Sequence, residues 1–203
     1  ANVWGPLFWE FLFFLCFNCV EDGNTTDIHF MFELLEYIMP CSHCRRSYSL
    51  FKRQLSHVSL PNEDHGEECG KWLWTVHDMV NQKLGKVCIS YEKLKMKHAC
   101  YTAAFTDFML IDVLCMMWLA SSQNATRSDK FVNALDITRR MLQSKSVPSH
   151  FLLPSLMKDM ELPSDEMSIK NTMMQLKNKV LVHNNRSEQT MEEFTKQYER
   201  AVV

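Results

Sequence analysis

The chain is 203 residues long and 46% hydrophobic, enough apolar side chain to fill one sizeable domain or two small ones. Its 22 basic and 24 acidic residues nearly cancel, so no broad positive field is available to hold nucleic acid or an anionic membrane, and neither is expected as a partner. Only 5 glycines and 6 prolines interrupt it, too few for an all-β domain with frequent tight turns, and the composition reads as all-α.

The first predicted helix spans residues 5–19, with Pro6 tolerated in its opening turn. The stretch "NVWGPLFWEFLFFLCFNCV" lacks the basic start and small-residue cleavage site of a secretory signal, so it is read as part of the fold. A second helix over 27–38 is expected to start from a capping Asp27 and to bury Ile28, Met31, Phe32, Leu35 and Ile38; Pro40 ends it. A third opens at the pair Cys41 and Cys44 and carries Tyr48, Phe51 and Leu55. A fourth spans 67–84, with Leu73, His77, Val80, Asn81 and Leu84 along one side, Gly85 as its C-cap, and Lys83 and Lys86 at its negative end. A short fifth helix over 90–98 completes a bundle, giving one domain over 1–98 and a helical extension over 99–203.

In the extension, residues 101–120 are long and apolar enough to suggest a membrane span. Asp107 and Asp112 would be costly in a bilayer, so a buried or interface helix is expected. Amphipathic helices follow over 129–144, 165–183 and 188–201, and the sequence shows no internal repeat.

Eight cysteines favour a redox or metal role over a structural one. Cys41 and Cys44 are spaced to close a small disulfide at a helix N-terminus, where free N–H groups stabilise a thiolate and Arg45 and Arg46 act in the same direction. Zinc competes: Cys41, Cys44, His65 and Cys69 form an acceptable ligand set by spacing. His77 and Asn81, four apart on one helix face, can grip a single ligand. Trp9, Phe8 and Trp74 offer flat surfaces, and Lys83 and Lys86 suit a pyrophosphate.

Three stretches, "WGPLFWEFLF", "PCSHCRRSY" and "WLWTVHDMVNQKLGK", occur in the order and at about the separations found in the Erv/ALR family of FAD-dependent sulfhydryl oxidases, which the first half of the chain resembles. The resemblance implies an all-α, four-helix bundle with a short fifth helix. It also implies FAD as cofactor and disulfide formation in thiol-containing protein substrates, with O2 as acceptor and hydrogen peroxide as product. Carried over, Cys41 exchanges with substrate and Cys44 lies against the flavin; Trp4, Trp9, Phe13, Trp74, His77, Asn81, Lys83 and Lys86 join Cys44 around the cofactor. Family bundles commonly pair through their early helices, which implies a homodimer.

The chain departs from the pattern at three places. Phe13 stands where a flavin-contacting histidine is usual, Asp78 replaces an asparagine, and Trp74 and Tyr91 occupy the positions of a second disulfide that staples the fourth helix in single-domain members. Cys16 and Cys19 share the Cys-x-x-Cys spacing but lie within a helix, where a disulfide would be strained, so buried thiols are expected. Cys69, Cys88, Cys100 and Cys115 have no assigned role. The appended helices suggest a large-DNA-virus member acting in host cytoplasm or virion, or otherwise an oxidising compartment such as the secretory pathway or the mitochondrial intermembrane space. A zinc-bound interaction module and a decayed oxidase serving as a scaffold are the alternative readings.

Overall fold

The Gly5–Pro6 start suits a first helical turn, because proline's missing N–H would be unpaired there anyway, and α1 runs Gly5–Phe14. It then widens into a π-helical turn, Leu15–Cys19, so the single helix expected over 5–19 changes pitch before it ends. The computed structural model describes residues 4–20, 25–55, 65–99, 106–145, 147 and 149–199. Beyond the π-turn follow α2 (Thr25–Ile38), α3 (Ser42–Gln54), α4 (His65–Lys83), α5 (Tyr91–Ala99), α6 (Asp107–Ser121), α7 (Ala125–Met141), α8 (Leu153–Lys158), α9 (Glu166–His183) and α10 (Met191–Glu199). No strand occurs among the described residues, and the all-α fold is as expected.

Several boundaries differ from the sequence reading. Helix α2 starts at Thr25, which puts Asp27 in the first turn instead of at the cap; its carboxylate accepts from the Arg140 guanidinium at 2.7 and 3.1 Å. Helix α7 starts from Asn124, whose side chain accepts the Arg127 N–H, four residues before the expected onset at 129. Helix α8 was not expected. It begins beside Pro154, and the Asp107 carboxylate accepts from the Leu152 and Leu153 N–H groups at 2.9 and 2.7 Å. The expected helix over 101–120 is described from Asp107 onward; its earlier residues and Cys100 lie outside the described residues.

The two aspartates that argued against a membrane span are both used within the fold. Asp107 holds the start of α8, and Asp112 accepts from Lys177 Nζ and the Tyr198 hydroxyl. No helix among the described residues is long and apolar enough to cross a membrane. Helix α6 is buried nearly all round, as its uniform hydrophobicity demands, and packs against α1, α2, α7 and α9.

The structure corrects the expectation of no repeat. Helices α2 and α7 begin at Thr25 and Ala125, α4 and α9 end at Lys83 and His183, and α5 and α10 span Tyr91–Ala99 and Met191–Glu199, so each feature recurs one hundred residues on. The turn that closes α4 has Gly85 at φ 63°, and the turn that closes α9 has Asn185 at φ 55°. In both, a C-cap closes on the helix: Lys86 N–H donates to Asn81 at 2.9 Å, and Arg186 N–H donates to Leu181 at 2.9 Å. The connecting loops are tied at matching carbonyls from different helix positions, by Trp74 Nε1 on the Ile89 carbonyl (2.8 Å) and by Asn178 Nδ2 on the Gln189 carbonyl (3.0 Å). Backbone geometry repeats where side chains do not, which is why the sequence concealed it.

The second set of helices covers the first. The most extensive packing in the molecule is between α2 and α7, α6 lies on α1 and α2, and one buried cluster runs through both halves. Lys177, which stands where the repeat places His77, is almost wholly buried and ion-paired with Asp112. Removing one member of such a pair leaves its partner under-compensated. Lys177→Met is expected to lower unfolding stability by about 1–3 kcal/mol, and adding Asp112→Asn is expected to restore part of it; thermal denaturation of the two variants checks this.

Candidate active site

The π-turn and the run of aromatic residues on α1 build a ladder. Trp9, Phe13 and Phe17, spaced four apart, stack with ring centroids 6.2 and 6.1 Å apart. Two histidines from different helices close on it. His77 of α4 meets Trp9 at 4.7 Å and Phe13 at 5.8 Å, and His98 of α5 meets Phe13 at 5.3 Å and Phe17 at 5.8 Å. Helix α4 can approach this closely because it presents Gly70 to Phe17: a Cβ there would come within 2.5 Å of Phe17 Cζ.

His77 and Asn81 share the half-buried face of α4, Asn81 Nδ2 lying 3.5 Å from His77 Nε2. Burial holds the His77 pKa below its ordinary value, so the ring is neutral at neutral pH and one nitrogen can accept while the other donates. Burial also lowers the pKa of His98, opposed by the Glu10 carboxylate 3.6 Å from its Nε2; Lys97 pairs with the same carboxylate. Phe13, where the resemblance expects a histidine, is 2% exposed and fully engaged in the ladder.

Helix α3 carries the cysteine pair. Tyr48 anchors it by donating its hydroxyl to the Phe32 carbonyl of α2 at 2.7 Å. Cys41 is the N-cap, and its sulfur accepts the Cys44 N–H at 3.3 Å. Burial raises the Cys41 pKa, but hydrogen bonds from the Cys44 thiol and from the Cys44 and His43 N–H groups outweigh it and hold the pKa below the ordinary thiol value. Cys44 moves the opposite way. Burial, its hydrogen bond to Cys41 and the Cys41 charge push it up to about 12, against the pull of Lys83. Arg45 does lie near both sulfurs and donates to the Met39 carbonyl, whereas Arg46 is not among the groups that act on either thiol.

Lys83, at the end of α4, donates to Ser47 Oγ of α3 at 2.6 Å and so lies beside Cys44. Lys86 is exposed past the α4 C-cap, close enough to help lower the His77 pKa. The structure thus brings Trp9, Phe13, His77, Asn81, Lys83 and Lys86 along one stretch of α1 and α4, with Cys44 at its α3 edge. Trp4 and Trp74 fall elsewhere. Trp4 is buried against Phe8 at 5.4 Å, its Nε1 without a hydrogen-bond partner among the described residues, and Phe8 continues to Phe11 in the core. Trp74 meets Tyr91 edge-on at 6.1 Å while its N–H holds the Ile89 carbonyl, so this pair braces the loop after α4 where the resemblance expects a disulfide.

The profile of the Erv1 / Alr family matches residues 7–99, a span that starts within α1 and ends with α5. Over this segment, a little under half of the chain, the sequence is similar to the Erv1 / Alr family. That family is one of sulfhydryl oxidases, and the matched segment holds the Cys41–Cys44 pair. No curated protein and no solved structure gives a match. Within the Erv1 / Alr bundle, sequence reasoning missed Phe17 and His98. Both were legible as spacing: Phe17 extends the step from Trp9 to Phe13, and His98 follows Tyr91 and Leu94 along the inner stripe of α5.

Three of the remaining thiols lie together in the core. Cys16 and Cys19 are buried, and burial together with the nearby Cys69 and Cys19 holds the Cys16 pKa well above that of an ordinary thiol. Cys69 lies by Cys16, and burial raises it to about 11. Among the described residues no group of three or more His, Cys, Asp or Glu could hold a metal ion; the His65 side chain lies outside them.

The opposite shifts of the pair give a pH prediction. Cys41, lowered, becomes a thiolate below the pH at which a free cysteine does, whereas Cys44 stays protonated until about pH 12. Alkylation of the reduced protein at neutral pH, read by peptide mass, is expected at Cys41 first, with a rate that climbs through a pKa below the ordinary thiol value.

Proposed function

We propose that the Erv1 / Alr bundle is a FAD-dependent thiol oxidase that forms disulfides in protein substrates and delivers the electrons to O2 as hydrogen peroxide. The observation that carries this reading is that Cys44, Lys83, Asn81 and His77 adjoin along α3 and α4, beside the aromatic ladder.

The residues present suit a flavin dinucleotide. Neutral His77 and the Asn81 amide provide donors and acceptors whose mutual contact, at 3.5 Å, leaves both with capacity for a ligand. Trp9 supplies an aromatic face, and Lys83 and Lys86 are cations at a helix end suited to phosphates. FAD, when bound, supplies the two-electron acceptor that links thiols to O2.

The chain's own residues account for the thiol chemistry. With Cys41 and Cys44 joined, a substrate thiolate attacks Cys41 Sγ, the Cys41–Cys44 bond breaks, and Cys44 leaves as thiolate. The Cys41 charge contributes to the high pKa of Cys44, and in the mixed disulfide that charge is gone, so the Cys44 thiolate is more stable at that stage. A second substrate thiolate then attacks the substrate sulfur and expels Cys41, whose lowered pKa makes it the better leaving group. Lys83 offsets the negative charge left on Cys44.

In this reading α6 to α10 are a cover. Helix α7 occupies the outer side of α2, and Lys177, Tyr198 and the Asn184–Asn185–Arg186 turn replace His77, His98 and the Leu84–Gly85–Lys86 turn, with no cysteine pair in or near α8. A homodimer using the α2 face would have to displace α7.

The purified full chain is expected to consume O2 and release peroxide with a small dithiol. Cys41→Ser and Cys44→Ser should each abolish turnover. A long-wavelength flavin absorption band should appear only in Cys41→Ser, which leaves Cys44 free to donate charge; the band in Cys44→Ser instead would reverse the two roles. His77→Ala should weaken FAD binding roughly ten- to a hundredfold, measured by flavin fluorescence on dilution.

A further inference from the structure

Helix α3 has two faces. Cys44, Tyr48, Phe51 and Leu55 turn inward, and Ser42, Arg45, Arg46, Ser49 and Arg53 fall on the outer side at helical spacing. That outer side is one wall of a groove of about 610 Å³, which starts at Ser42, next to Cys41, and is closed by Glu36 and Tyr37 from the end of α2. Leu50 also lines it and is 56% exposed.

The charge of this groove is strongly one-sided in a chain that is close to neutral. Glu36, its one carboxylate, is held by Lys52 at 3.0 Å, as is Glu33 at 2.8 Å, so neither neutralises the arginines. Arg45 donates to the Met39 carbonyl and Arg53 to Ser49 Oγ, both uncharged acceptors, and none of Arg45, Arg46 and Arg53 has a carboxylate partner among the described residues. A fourth guanidinium adds to the excess. Arg127 of α7 donates Nε to the Tyr37 carbonyl at 2.9 Å and leaves Nη2 buried without a hydrogen-bond partner among the described residues. Arg45 lies close enough to lower the pKa of Arg127, after burial as the first cause. Guanidinium groups gathered without counter-charge favour an anionic ligand, and the forked donors of arginine suit carboxylates.

We propose that this groove is the substrate-docking site of the oxidase, and that it selects protein thiols flanked by acidic residues, with an apolar side chain seated on Leu50. The inference rests on the proposed function and adds the substrate class to it. A segment lying along the outer side of α3 with its carboxylates on Arg46 and Arg53 delivers its cysteine to the Cys41 end of the helix, where exchange begins. Positive charge at the docking face also raises the encounter rate with acidic segments, an effect that salt screens.

The test uses the full chain and one dithiol peptide made in three versions, with glutamate, glutamine or lysine flanks, each also with serine in place of cysteine. Fluorescence anisotropy of the serine peptides is expected to rank glutamate above glutamine above lysine. The glutamate peptide should bind about tenfold or more tighter than the lysine peptide at low ionic strength, with the gap closing near 1 M salt. Oxidation of the cysteine peptides should follow the same order in kcat/KM. The double variant Arg46→Glu, Arg53→Glu should invert the ranking and leave the oxidation rate of a small dithiol unchanged. A flat binding series, or a double variant that keeps the wild-type ranking, would overturn the docking assignment. If the wild-type chain fails to oxidise the small dithiol, the oxidase reading falls, and the serine-peptide series still decides whether the groove binds acidic segments.

Discussion

The stacked ring ladder of α1 fixes the geometry on which the other functional contacts depend. Trp9, Phe13 and Phe17, four residues apart, form a continuous surface that carries on past the change of pitch after Phe14, while Cys16 and Cys19 stay in the core. Two helices then read that surface, α4 with His77 and the Gly70 gap, α5 with His98. Each ring contact is worth on the order of 1 kcal/mol beyond its area, so no single one holds the bundle, but together they set the rotation of α4. That rotation decides where Asn81 and Lys83 point, and Lys83 in turn reaches Ser47 and the neighbourhood of Cys44.

The second half shows what remains of such a bundle when the chemistry is replaced. Helix order, turn geometry and the tied loop carbonyls persist one hundred residues on, whereas the polar centre becomes a Lys177–Asp112–Tyr198 group. The parallel extends to the acid: Glu10 of α1 faces His98 of α5, and Asp112 of α6 faces Tyr198 of α10. The Lys177 cation is buried and paired with a carboxylate inside the core, and this half packs over the first. It covers α1 and α2, which lets a single chain bury surface that a lone bundle would expose.

Most of the first half was readable because periodicity and caps agree there. The apolar stripe of α2, Pro40 before the cysteine pair and Gly85 after α4 each act through local backbone rules, and the helices appeared within a few residues of where those rules put them. That His77 and Asn81 share one face of α4 was legible from their four-residue spacing. What escaped was set by tertiary contacts. The π-turn packs against α4 and α5, and Asp27 pairs with Arg140, distant in the sequence, instead of capping α2. Trp74 reads as a flat face for a ligand, but its N–H is claimed by Ile89, and Trp4 turns toward Phe8 instead of the ladder. The repeat was hidden because hydrogen bonds at helix ends accept Asn185 and Arg186 as readily as Gly85 and Lys86, leaving little residue identity to detect.

The account makes one half of the chain the flavin site and the other its cover. The stoichiometry of the purified protein tests that division most directly, through flavin absorbance against protein concentration combined with mass determination in solution. One FAD per chain, with the bound flavin bleached by a dithiol in the absence of O2, is the expected result. Two flavins per chain would show that the Lys177 half binds cofactor as well, and a flavin-free protein holding stoichiometric zinc through Cys41 and Cys44 would contradict the account outright.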